Sequence, residues 1–109
     1  MEVNRGDLIV IALPGDYGKP RPVLVVQSDA FSGLASVTVL RITSEVHRLP
    51  LIRITVEPTV DNGLVTRSQI MIDKAATVPR AKIGRRIGRL RPATMQAIDS
   101  ALVRFLGLE

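Results

Sequence analysis

Apolar and polar positions alternate in short blocks along most of this chain. Residues 8–13 (LIVIAL) form a continuous apolar run between Gly6-Asp7 and Pro14-Gly15, the mark of a buried strand. Residues 14–22 (PGDYGKPRP) are dense in Gly and Pro and read as a loop, because Pro cannot donate to a ladder and Gly weakens one. Residues 23–27 (VLVVQ) read as a second strand, after which Ser28-Asp29 offers an N-cap for a short turn or helix through Leu34. Residues 36–42 (SVTVLRI) give a third strand. Residues 51–57 alternate clearly, with Arg53, Thr55 and Glu57 on one face and Ile52, Ile54 and Val56 on the other. That pattern predicts a strand with one face on the core and one in water. Asp61-Asn62-Gly63 is a strong turn signal, since Asn-Gly suits positive φ. Residues 65–72 read as a further strand with a break near Thr66-Arg67-Ser68, and residues 76–78 as one more short strand.

The period then changes. Pro92 suits a first helical turn. Met95, Ile98, Leu102 and Phe105 recur at spacings of three and four, and Ala101 and Leu106 widen the stripe. One amphipathic helix laid on the sheet follows, with Phe105 read as core and Gly107 as the stop. The fold class expected is mainly β (α+β): five or six short strands in a small, partly open barrel with a C-terminal helix, as a single domain over residues 1–109.

Composition sharpens this picture. Aromatics are 3% of 109 residues, so the core must be built from Val, Ile and Leu, which favour pleated surfaces. Absence of cysteine excludes a disulfide framework, a thiolate zinc site and a cysteine nucleophile, and fits a cytoplasmic protein. His47 is the single histidine, so no His-rich metal site exists; in its loop setting it reads as a surface residue. The opening residues do not read as a signal peptide, and no apolar stretch approaches bilayer length, so no membrane is expected. A net charge of +5 leaves two readings open: solubility alone, or a polyanionic partner.

Four constellations carry possible chemistry. Arg21 stands between Pro20 and Pro22, and both neighbours restrict the backbone that presents it. A stiffly held guanidinium suits a phosphate or a developing negative charge; an ordinary surface arginine in a turn is the plain alternative. Thr43-Ser44 at the end of the third strand offers two hydroxyl donors, which equally well cap local backbone. In residues 68–74, alternation sets Gln69, Met71 and Asp73 on one face; Asp73 is either a base or the structural partner of a neighbouring cation. Arg80, Lys82, Arg85, Arg86, Arg89 and Arg91 form a basic stretch that suits nucleic acid, an acidic partner or a solvated face. Tyr17, near Lys19 and Arg21, is a candidate for stacking on a base.

In order along the chain, Arg5-Gly6-Asp7 before an apolar strand, Lys19-Pro20-Arg21-Pro22-Val23-Leu24-Val25-Val26, Arg41-Ile42-Thr43-Ser44, Gly63-Leu64, Ser68-Gln69 and Asp73-Lys74 resemble the MazF/PemK family of toxin endoribonucleases. No one motif is specific; the ordered series is. The resemblance implies an SH3-like barrel, a homodimer, and cleavage of single-stranded RNA at short sequences by attack of the substrate's own 2′-hydroxyl. That chemistry leaves a cyclic phosphate and a 5′-hydroxyl and needs no metal and no cofactor. It also implies Arg21 and Thr43 as catalytic residues, with Tyr17, Lys19, Ser44, Gln69 and Asp73 toward RNA, and a cognate antitoxin whose acidic tail covers the site. Two departures stand out. Some members pair the acidic residue at Asp73 with an arginine two positions earlier, where this chain has Met71. The histidine some relatives carry has no counterpart in residues 14–19. Two other readings compete: a gyrase poison on the same barrel, whose Trp-Gly-Ile type tail is missing here, and a non-catalytic SH3-like module that binds nucleic acid.

Overall fold

The computed structural model describes residues 2–13, 15 and 17–109. Six strands, β1 (Asp7–Ala12), β2 (Pro20–Val25), β3 (Ser36–Thr43), β4 (Arg53–Val56), β5 (Ser68–Pro79) and β6 (Arg85–Arg89), form one antiparallel sheet in the order β4-β5-β3-β2-β1-β6. Helix α1 (Pro92–Leu106) follows. The expected partly open barrel with a C-terminal helix is what forms.

Side-chain alternation explains why the strands read as unbroken apolar runs. Leu8, Leu24, Leu40, Ile42, Ile70 and Ile72 project to one face and pack with Met95, Ile98 and Ala101 of α1. Their sequence neighbours Ile9, Ile11, Val23, Val25, Val37 and Val39 project to the other and form a second cluster with Val3, Leu13 and Val78. Both faces of the central strands are therefore covered, which removes the apolar–polar alternation of a half-exposed sheet. Edge strand β4 keeps it in part, with Ile54 packed on the first cluster and Thr55 exposed, and β3 alternates too, with Thr38 and Arg41 half-buried among buried apolar residues.

Three expectations change. The segment read as a loop through Pro22 becomes strand earlier: Pro20, Arg21 and Pro22 pair with Ala12, Ile11 and Val10 of β1. Prolines are tolerated there because the ladder from β2 to β3 starts only at Val23, so no partner on that side requires their missing amides. Pro14 and Asp16, in the same expected loop, lie outside the described residues. The two strands expected over 65–72 and 76–78 are one long β5 that bends sharply. Leu40 pairs with Ala75 and Ile42 with Ile70, so residues 71–74 bulge opposite Arg41. Finally, β6 was not expected, because RRIGR offers a single apolar side chain to any pattern.

The sheet edges β4 and β6 do not pair. Instead, the loop after β4 lies against β6, where Arg89 N–H donates to the Asp61 carbonyl. The approach is close. A Cβ on Gly63 would sit 2.0 Å from the Ile87 carbonyl oxygen, and one on Gly88 2.3 Å from the Asn62 carbonyl carbon. Gly63 also has φ +70°, so glycine is required there twice over. Asn62 organises the turn: its Oδ1 accepts from Thr59 and Leu64 amides, and its Nδ2 donates to the Glu57 carbonyl.

Helix α1 starts with Pro92 at its first turn and ends at Gly107, φ +71°, where Gly107 and Leu108 amides return to the Arg104 and Val103 carbonyls. Met95, Ile98 and Ala101 are buried as expected. Phe105 is not core: it is 49% exposed, because the last helical turn runs past the edge of the sheet's apolar face.

Candidate nucleic-acid interface

A groove of about 990 Å³ opens where β2 begins, β3 ends and β6 starts, walled by residues 63–66 after β4. Its lining brings together Lys19, Arg21, Arg41, Arg85 and Arg86, four hydroxyls from Thr43, Ser44, Thr66 and Ser68, and an apolar floor that includes Ile42, Leu64, Met71 and Ile87. Among the described residues, no carboxylate lines it. Five cations around one concave surface raise the local potential and draw in a polyanion.

The strands set the arrangement. Val23↔Arg41, Leu24↔Leu40 and Val25↔Val39 fix the β2–β3 register, and Arg21 and Thr43 lie just beyond its last pair, both in the groove lining. Arg21 is exposed and stands on a backbone stiffened by Pro20, Pro22 and the ladder to β1. Thr43 Oγ1 accepts from the Glu45 amide at 3.0 Å. That bond uses an acceptor lone pair, so the hydroxyl proton is left to donate. Both readings of this threonine therefore hold at once: it caps local backbone and remains a donor.

Other expected site residues sit outside the groove lining. Gln69 is buried, its Oε1 accepting from His47 N–H at 3.0 Å and its Nε2 donating to the His47 carbonyl at 2.9 Å and to Thr55 Oγ1. It clamps the β3–β4 loop that follows Thr43-Ser44. Asp73 forms an ion pair with Arg53, a β4 side chain only 10% exposed. Arg53 was read as facing water. Instead it stands across from Met71 in the β4–β5 register and reaches Asp73 past it. Asp73 is thus paired with a cation from the neighbouring strand, a contact only the register reveals. Tyr17 is fully exposed at φ +53°. His47 is a surface residue, as expected, with its side chain 52% exposed.

The basic stretch divides. Arg85 and Arg86 line the groove. Arg89 bonds the fully buried Asp7 at 2.8 Å, with Asp7 Oδ2 accepting from the Asn4 amide, and Arg80 donates to the Leu34 carbonyl. Arg41 was missed as a groove residue, although its place two positions before Thr43 on one strand puts both on one face.

The fold is a small barrel built on a curled β sheet, with a groove lined by five cations. Comparison with known proteins makes this specific. Residues 4–106 match the family described as the PemK-like, MazF-like toxin of type II toxin-antitoxin systems. A probable endoribonuclease MazF of Mycolicibacterium smegmatis is 49% identical over 107 residues, covering 97% of this chain and 98% of that one. An endoribonuclease of a mycobacterial species, solved in complex with its cognate antitoxin, superposes with a TM-score of 0.83 at 27% identity, over 98% of this chain and 97% of that one. A MazF toxin of Mycobacterium tuberculosis superposes with a TM-score of 0.80 at 29% identity, over 94% and 98% of the two chains. The chain belongs to the PemK-like, MazF-like toxin family. Its class is that of the endoribonuclease toxins, as the ordered motifs implied.

Proposed function

We propose that this toxin cuts single-stranded RNA in the groove between the start of β2 and the end of β3, with Arg21 and Thr43 at the scissile phosphate. The observation that carries the reading is a proline-locked guanidinium and a hydroxyl donor lining one groove of five cations, just beyond the last pair of the β2–β3 ladder. The 2′-oxygen beside the scissile phosphate attacks phosphorus. The P–O2′ bond forms as the P–O5′ bond breaks, leaving a cyclic phosphate and a 5′-hydroxyl. The 2′-hydroxyl releases a proton and the departing 5′-oxygen takes one up, so protons balance. The nucleophile belongs to the substrate, and no protein nucleophile or metal is required.

The protein's contribution is then electrostatic. Arg21 holds the phosphate and meets charge that builds on its oxygens; a guanidinium is a strong donor but a poor acid or base, so its main work is charge stabilisation. Thr43 donates its free hydroxyl proton to a phosphate oxygen. Lys19 and Ser44 hold the backbone on either side, while Gln69 and Asp73 act through the loop and strand they brace. Tyr17 stacks on a base beyond the groove. Because its relatives include a toxin solved with its antitoxin, we further assign this chain a homodimeric state, a cognate antitoxin whose acidic tail fills the cationic groove, and action in the cytoplasm. Among the described residues, no helix is long and apolar enough to cross a membrane.

The test is cleavage of a long single-stranded RNA in excess EDTA by wild type and by Arg21→Ala. Discrete fragments ending in cyclic phosphate from wild type, slowed about 100-fold or more by the substitution, are expected, the size seen when one oxyanion donor is lost. Equal rates from both proteins would remove Arg21 from the site; a requirement for added metal would remove the mechanism.

A further inference from the structure

The groove's charged side chains are one-sided, and this bears on which RNA it takes. Its five cations only donate. The four hydroxyls are mixed: Thr43 spends an acceptor lone pair on the Glu45 amide, whereas Ser68 donates to the Thr66 carbonyl at 2.9 Å and keeps its lone pairs. Two carboxamides flank the groove, and each could have offered a donor and an acceptor together. Both are already committed: Asn62 to Thr59, Leu64 and Glu57, and Gln69 to His47 and Thr55.

Base edges differ at one atom in a way that such a groove reads. Guanine carries a carbonyl oxygen at C6 and uracil one at C4; adenine and cytosine carry amines there. Paired Arg donors match guanine O6 and N7, whereas adenine is matched by Asn or Gln and the cytosine amine by a carboxylate. We infer that the groove selects keto bases, uracil and guanine, over amino bases beside the scissile phosphate, and that Arg41, Arg85 and Arg86 are the residues that read them. Three features support these assignments. All three line the groove, Arg21 is taken up by the phosphate in the proposed mechanism, and the apolar floor at Leu64 and Met71 gives a base a face to lie on. This inference rests on the proposed cleavage reading for its location, and on donor chemistry alone for its direction.

The experiment compares substrates that differ by one exocyclic group. Short chimeric oligonucleotides carry a single ribonucleotide at the cut, flanked by deoxynucleotides. Each of the two bases at the cut is exchanged in turn, adenine for hypoxanthine and cytosine for uracil, which turns an amine into a carbonyl. Each exchange is expected to raise kcat/KM about tenfold or more, within the range for one good base contact. Affinities of the same exchanges in 2′-O-methyl oligonucleotides, which cannot be cut, are measured in parallel. Tightening by the keto base without cleavage of any chimera would uphold the selection and overturn the ribonuclease reading. Equal rates and equal affinities, or a preference for the amino base, would overturn the selection. Met71→Gln, a near-isosteric change that brings a carboxamide to the floor, is expected to shrink the preference against adenine several-fold; an unchanged ratio would take Met71 away from the base.

Discussion

Thr43 holds one bond, accepted from the Glu45 amide, and in the proposed reading gives its proton to the phosphate; two assays separate the two roles. Thr43→Val keeps shape but loses both the bond from the Glu45 amide and the outward donor. The exposed backbone bond is worth about 1 kcal/mol of stability. If the donor meets the transition state, kcat/KM falls by a further ~2–4 kcal/mol equivalent. Steady-state kinetics and urea unfolding on the same variant separate the two, and Thr43→Ser, which restores both bonds, is expected to recover most activity. A rate unchanged in Thr43→Val would take the residue out of the site. Asp7 behaves in the opposite way. It is fully buried, bonded by Arg89 and the Asn4 amide, with Arg86 at 3.8 Å. Asp7→Ala leaves the Asn4 amide without its partner and is expected to cost about 3 kcal/mol in urea unfolding. A loss under 1 kcal/mol would mean that Arg89, half in solvent, contributes little to the fold.

Among the elements, the loop after β4 replaces a strand pairing. Its Asn62-Gly63 turn meets Ile87-Gly88 backbone to backbone, which is how the open edge beside β6 is covered. Gly63→Ala forces a Cβ into the Ile87 carbonyl at a positive φ, and a cost of about 2–4 kcal/mol is expected. Thermal unfolding checks it; an unchanged Tm would mean the loop shifts away from β6 without penalty. This element was legible in the sequence as a turn, but not as a closure, since contact between residues 61–63 and 87–89 is set by the curl of the sheet. The same limit explains the other misreadings. Continuous apolar runs declared β1 and β2, partial alternation declared β3, and the 3–4 spacing declared α1. Strand β6 carries one apolar residue, so it exists because β1 offers an edge. Arg53 looked solvated because alternation assigns a face and cannot assign a partner. Arg21 and Thr43 were legible through the prolines and the ordered motifs, and their sharing one groove followed only from the fold.

For the whole molecule, charge placement matters more than charge total. A net charge of +5 is modest, yet five cations share one groove. Binding of an uncleavable single-stranded RNA is therefore expected to weaken with salt. The slope of log K against log salt approaches about −1.4 if Lys19 and Arg21 each meet one phosphate while Arg41, Arg85 and Arg86 meet bases, at roughly −0.7 per phosphate contact. A slope near zero would show that the groove does not hold the backbone. Lys19→Ala is expected to flatten it by about 0.7, while Arg80→Ala, which removes a side chain tied to the Leu34 carbonyl, is not.

The carboxamides of Asn62 and Gln69 have a consequence for how such a toxin diversifies. Each closes its own loop through bonds to nearby backbone, while Leu64 and Ile52 tie the two loops to the core cluster. The groove wall is thus pinned at a few points and variable between them. Residues 65–66 and 44–49 can be exchanged between relatives with Gly63, Leu64 and Ile52 kept, and the choice of cleavage site is expected to travel with the exchanged residues.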